Sequence, residues 1–174
     1  MVYTAAEASQ VAAALQRYQQ KAEAAKPLVA PSVYLIGSLR NPKIPSIASA
    51  LRVEGFEVFD DWFSAGPEAD DAWQAHEAAR GRTFKEALAG WHAQEVYQFD
   101  TKHLSRCGIV VLALPAGKSG HLELGFALGL GKPGYILLDG KPERFDVMYN
   151  FATDIFTSVD QMTKSLFHRF VKAL

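Results

Sequence analysis

Two periods alternate along this chain. Short and almost unbroken apolar runs, SVYLIGS at 32–38, FEVFD at 56–60, IVVLAL at 109–114 and GYILLD at 134–139, are separated by stretches whose apolar residues recur every three or four positions. Runs of the first kind suit parallel strands covered on both faces, and the longer period suits the helices that cover them. After the first run comes a turn, LRNPKIP, then a helix reaching about residue 54 and stopped by Gly55. Residues 61–82 are polar, carry acids at Glu68, Asp70 and Asp71, and are punctuated by Gly66, Pro67 and Gly81. They predict a long excursion containing a short helix. Residues 83–106 predict one helix, and a further helix follows the third run until Lys132 and Pro133 close it. DIFT at 154–157 reads as a short edge strand, and Asp160 opens a final helix whose Leu166, Phe170 and Leu174 share a face. Ahead of all this, residues 5–25 place Val11, Leu15, Tyr18 and Ala22 at helical spacing and stop before Pro27. So thin a stripe serves equally for packing on its own domain or for a subunit contact.

Strands alternating with helices require a parallel sheet with right-handed crossovers, and five strands favour the flavodoxin-like order 2-1-3-4-5 with helices on both faces. The expected organisation is an N-terminal helical extension at 1–30 and a single α/β domain at 31–174. With 174 residues, 49% of them apolar, the chain suffices for one core. In that strand order the first and third strands are neighbours where the order reverses. The turn Gly37, Ser38, Leu39, Arg40 and Asn41 then faces the turn Ala116, Gly117, Lys118, Ser119 and Gly120 across one crevice. Hydroxyls, backbone amides at helix N-termini, one arginine and one lysine suit an anionic group such as a phosphate.

Charge narrows the partners. Eighteen basic residues against 19 acidic ones leave a formal charge of −1, which gives no field for a nucleic acid polymer or an anionic membrane. Cys107 is the single cysteine, so internal disulfides and cysteine-based zinc clusters are excluded and a reducing, cytoplasmic home is expected. No apolar run approaches the roughly 18 residues of a membrane span, and the first residues have no secretion pattern. Several motifs fail on inspection. Gly117, Lys118 and Ser119 spell the end of a phosphate loop, but Leu112 stands where its first glycine belongs. Gly125, Gly129 and Gly131 do not make a dinucleotide fingerprint, and His121 with Glu123 lacks the paired cysteines of a zinc deaminase. His76, His92, His103 and His168 are scattered at helical positions and read as solvated or capping residues. Neither a metal nor a cofactor is expected.

One acid stands out. Glu123 lies in the helix after the third strand among Leu122, Leu124, Phe126, Ala127, Leu128 and Leu130. Burying it unpaired would cost several kcal/mol, so it must face a cavity, a ligand or a donor. A first-turn acid complementing the helix dipole is the plainer reading, yet this helix lacks the solvated face such an acid would share.

A strand ending in Gly37, Ser38, Leu39, Arg40 and Asn41, an aspartate just ahead of the third strand, and SGHLELGFALGLGKP at 119–133 together resemble the nucleoside 2-deoxyribosyltransferase family, including its branch of nucleoside 5′-monophosphate N-glycosidases. The similarity runs from about Val33 to Leu138 without the 61–82 excursion. It implies the same flavodoxin-like fold, with Glu123 as the nucleophile that attacks an anomeric carbon and Asp100 as the acid serving the departing base. Asp100 also reads as an ordinary capping or surface acid. Members commonly form dimers or larger oligomers, so a homo-oligomer acting on a small nucleoside or nucleotide is expected. Ser38, Arg40, Lys118 and Ser119 suit a 5′-phosphate, with Gly37, Asn41, Gly117 and Gly120 completing the two turns. Gly117 stands where transferases acting on free nucleosides commonly carry an acid, which tilts the resemblance toward nucleotides. Gly108 replaces an aspartate often found opening the third strand. The excursion is expected to form the base pocket, with Asp60, Asp61, Trp62 and Trp73 as acceptors and stacking faces, although tryptophan here also reads as core. Tyr34 and Tyr97 are candidates to touch ligand, with buried core as the default. A raised Glu123 pKa is expected, the charged form being held by Lys118, tyrosine hydroxyls or backbone donors. Two readings compete with the enzyme: a nucleotide-binding module without turnover, and a TIR-like NAD glycohydrolase.

Overall fold

The computed structural model describes residues 31–138, 140 and 146–172. The helix expected at 5–25 lies outside them. Five strands, β1 (Ser32–Ile36), β2 (Glu57–Phe59), β3 (Ile109–Ala113), β4 (Gly134–Leu137) and β5 (Asp154–Phe156), form one parallel sheet in the order β2-β1-β3-β4-β5. This is the flavodoxin-like order that the sequence pattern favours. Pairing of Val33 with Ile109 and of Ile36 with Leu112 sets β1 beside β3, so their C-terminal ends open side by side.

Helix α1 (Ile44–Val53) crosses from β1 to β2. A 3-10 segment (Asp61–Ala65) and helices α2 (Ala69–Ala79), α3 (Phe84–Leu88) and α4 (Trp91–Arg106) lead from β2 to β3. Helix α5 (Lys118–Gly129) links β3 to β4, a second 3-10 segment (Val147–Phe151) precedes β5, and α6 (Val159–Leu166) runs into a terminal π-helical turn. Alternate strand residues face opposite layers, as the pleat dictates. Val33, Leu35, Val111 and Ala113 pack with Ile44, Ile47 and Leu51 of α1 and Met162 and Leu166 of α6. Tyr34, Ile36, Val110 and Leu112 pack with Leu104 of α4 and Leu124 and Ala127 of α5. Glu123 lies on α5, which covers this second face.

Several element boundaries differ from those the sequence pattern predicts. Residues 83–106 form two helices, α3 and α4, because Gly90 adopts an extended conformation and caps the second. A side chain there would meet Ala87 O and the Arg82 guanidinium at 3.0 Å. Thr83 caps α3, with its hydroxyl accepting from Glu86 N–H and Glu86 reaching back to Thr83. The excursion carries an 11-residue helix, and its buried Glu77 is held by Arg80 and Arg82. Ser158 rather than Asp160 caps α6, its hydroxyl accepting from Gln161 N–H at 3.2 Å, while Asp160 pairs with Lys164 in the first turn. α5 stops earlier than Lys132, and Gly131 turns the chain at φ +77°. Lys132 instead donates to Ser105 O and Cys107 O, tying α5 to the end of α4. No helix among the described residues is long and apolar enough to cross a membrane.

Candidate functional site

Helix α5 sits low on the sheet, and Gly120 is the reason. A Cβ at Gly120 would lie 3.0 Å from Ile36 Cγ2 and 3.1 Å from Leu112 Cδ1, so its absence lets the helix descend onto β1 and β3. Glu123, one turn further along, is half-buried over β1. There the Tyr34 hydroxyl donates to its carboxylate. Burial raises the Glu123 pKa from 4.5 to about 7, the nearby charge of Asp100 pushes it the same way, and the Tyr34 hydrogen bond pulls it down. Asp100, half-buried on α4, is itself raised to about 6 by burial. The Tyr34 phenol is held well above its ordinary range by burial and by the negative charges of Glu123 and Asp100. The structure thus brings Glu123, Asp100 and Tyr34 into one electrostatically coupled group. Between these two values the pair holds one proton, which rests mainly on Glu123 because its pKa is the higher; the arrangement with Glu123 charged and Asp100 protonated is the minor one, and the Tyr34 bond enlarges it by pulling Glu123 down.

Of the donors expected to hold Glu123 charged, Lys118, tyrosine hydroxyls or backbone donors, a tyrosine is the one that acts on it. Lys118 is exposed at the first position of α5, and the donor acting on Glu123 is Tyr34. Tyr97 is 58% exposed and away from the core. Sequence reading left Tyr34 as a core residue by default. Its alternation with Ile36 is the signal that places it on the α5 side of the sheet.

The two turns lie at the adjacent ends of β1 and β3. In the first, Gly37 leaves room for Ile44 and Trp62: a Cβ would come within 2.4 Å of Ile44 Cδ1 and 3.4 Å of Trp62 Cη2. Ser38 Oγ accepts from Arg40 N–H, and Asn41 is buried with its Oδ1 accepting from Lys43 N–H. The Asn41 Nδ2 is buried without a partner. Arg40 is exposed, and its Nη2 donates to Asp71 of α2 at 2.7 Å. In the second turn Gly117 caps α5 with its carbonyl turned to His121, while Ser119 beside Lys118 is exposed. A carbonyl only accepts, so His121 carries its proton on Nδ1, and Nε2 accepts from the Tyr149 hydroxyl at 3.0 Å. That bond links the mouth of α5 to the 3-10 segment before β5.

The excursion residues divide. Trp62 lies over the first turn with its indole N–H donating to Leu35 O at 2.8 Å, leaving its ring face rather than its donor for a ligand. Asp60 is bound by Arg52 and Asp61 is exposed, with its charge acting on His103. The His103 ring stacks on Phe59 at 4.0 Å, and Phe59 on Tyr34 at 5.0 Å. Trp73 is half-buried on α2 and its indole N–H has no partner. The N–H of Gly108, where an aspartate was anticipated, donates to Ser32 Oγ at 3.1 Å. No group of three or more His, Cys, Asp or Glu among the described residues is placed to hold a metal ion.

Comparison of the coordinates with solved structures finds a 2-deoxyribosyltransferase from Bacillus psychrosaccharolyticus, 18% identical, with 76% of this chain and 90% of that one covered at a TM-score of 0.52. This chain shares that enzyme's fold. A CMP N-glycosidase from Clostridium botulinum, BcmB, also matches, at 14% identity, a TM-score of 0.48 and coverage of 78% of this chain and 97% of that one. No protein-family profile and no curated protein sequence matches the chain.

Proposed function

We propose that this protein cleaves or transfers the N-glycosidic bond of a (deoxy)nucleoside or its 5′-monophosphate. The observation that carries the reading is the coupling of Glu123, Tyr34 and Asp100 beside two donor-rich turns. The ionised Glu123 attacks the anomeric carbon, forming a glycosyl ester as the carbon–nitrogen bond breaks. Asp100 gives its proton to the departing base. Water or a second base then attacks the same carbon, returns a proton to Asp100 and releases Glu123, with net retention. Arg40, Ser38, Lys118 and Ser119 receive the 5′ end of the sugar, by charge-assisted hydrogen bonds where it is phosphorylated. The Trp62 ring and Asp61 border the base. The shared fold with a 2-deoxyribosyltransferase supports this reading.

The test incubates wild type and Glu123→Ala with nucleosides, 5′-monophosphates and NAD, and follows base release by chromatography. Release by wild type, reduced at least about a thousandfold in the variant, is the expected result. Equal release by both proteins would end the proposal. Ligand-dependent stabilisation with no release would favour a binding module, and nicotinamide release from NAD alone would favour the glycohydrolase.

A further inference from the structure

We propose that Asp71 sets how strongly this site distinguishes phosphorylated from unphosphorylated substrates, by occupying Arg40. The inference rests on the glycosidase reading above and concerns the 5′ end of the substrate. Arg40 projects from the turn after β1, and its Nη2 lies 2.7 Å from Asp71 Oδ2. The contact is tertiary: Asp71 comes from α2 of the excursion, 31 residues further along the chain.

Within the turn, the Arg40 backbone N–H is already accepted by Ser38 Oγ, and the Asn41 Nδ2 is an uncharged, buried donor. The guanidinium is therefore the strongest cationic donor that this turn offers, and a carboxylate is seated on it. A carboxylate and a phosphate ask the same thing of a guanidinium, so an incoming phosphate must displace Asp71 or share Arg40 with it. Either way the charge of Asp71 opposes a dianion. Both side chains are more than half exposed, at 55% and 63%, and exposed ion pairs of this kind are weak and exchangeable. Asp71 consequently lowers the affinity for a phosphate without abolishing it. It also ties phosphate binding to the excursion, since Asp71 lies on α2.

The experiment measures the ratio of KM for 5′-monophosphates to KM for the parent nucleosides in wild type, Asp71→Asn, Asp71→Glu and the double variant Arg40→Ala with Asp71→Asn. The ratio is expected to fall roughly threefold to tenfold in Asp71→Asn, to stay near wild type in Asp71→Glu, and to lose the gain in the double variant. The change should fall on KM, because Arg40 holds a group remote from the breaking bond. An unmoved ratio, or a fall that persists without Arg40, overturns the proposal. Inorganic phosphate titrated into the same four proteins and followed by NMR gives a readout independent of turnover. Tighter phosphate binding in Asp71→Asn that is lost in the double variant supports the competition, and equal affinity in all four overturns it. Absence of base release from every compound would instead remove the glycosidase reading, leaving the phosphate titration to decide the role of Asp71.

Discussion

A carboxyl that attacks carbon and a carboxyl that gives up a proton need opposite protonation states at the same pH. Glu123 at about 7 and Asp100 at about 6 share one proton between those values, and their order leaves it mostly on Glu123, so the form the proposed mechanism uses, with Glu123 ionised and Asp100 protonated, is a minor one whose share peaks in that window. Below this range both are protonated and the nucleophile is lost; above it both are ionised and the departing base has no acid. The dependence of kcat/KM on pH is therefore expected to be bell-shaped with its maximum near 6 to 7. Asp100→Asn removes a like charge, so the pKa of Glu123 falls below about 7, and with no proton left to donate the basic limb disappears. Activity drops roughly a hundredfold or more as the proton donor disappears. A titration of the Glu123 carboxyl, followed by NMR, that Asp100→Asn leaves unmoved would show that the two carboxyls are not coupled. Both acids were legible in the sequence as residue types in the right segments. Tyr34 was legible only as a candidate with buried core as its default, and tyrosine hydroxyls only as a class of donor, because a tyrosine inside an apolar run carries no local mark of the partner it will meet.

At the scale of elements, α5 delivers Glu123 to the sheet because Gly120 lets it approach. Gly120→Val adds three carbons where the Cβ alone lies 3.0 Å from Ile36 and 3.1 Å from Leu112. Overpacking of this kind typically costs about 1–3 kcal/mol. The helix must lift, and Glu123 with it. The expected outcome is a lower denaturation midpoint together with a loss of kcat larger than the loss of stability explains, measured by urea titration and steady-state kinetics. A variant that is less stable yet fully active would refute the link between this packing and the catalytic geometry. The same scale shows where pattern reading stops. An unbroken helical period through residues 83–106 conceals the break at Gly90, since the glycine serves as a cap only once α3 ends against it. Ser158 replaces Asp160 as the cap of α6 for a similar reason: both residue types cap well, and the strand before them decides which falls at the boundary.

For the molecule as a whole, the site is held at a cost in stability. Glu123 has a folded pKa of about 7 against an ordinary 4.5, so the folded state binds its proton more tightly than the unfolded state does. Its contribution favours folding below about 4.5 and is lost as pH rises to about 7, where the buried charge opposes folding. Glu123→Gln removes that charge and keeps an acceptor for Tyr34. At pH 7.5, ~1–3 kcal/mol of added stability is expected after discounting for partial exposure, a rise in Tm of several degrees. The gain should shrink toward zero as the pH approaches 4.5. A calorimetric comparison at both pH values checks it, and an equal difference at the two would assign the effect to something other than ionisation.

The sequence by itself determined the alternation of strands and helices, the sheet order, the two turns that meet at the ends of β1 and β3, and the two carboxyls proposed to bear the chemistry. Burial and period are properties of neighbours in the chain, and an apolar run or a three-to-four spacing records them directly. Only the tertiary structure decided that Tyr34 reaches Glu123, that Asp100 lies close enough to disturb it, and that Asp71 crosses from the excursion to take Arg40. Those meetings join residues far apart in the chain, whose spacing leaves no periodic trace. Each depends on which face a strand residue takes and how closely a helix descends, and both are fixed only when the layers pack.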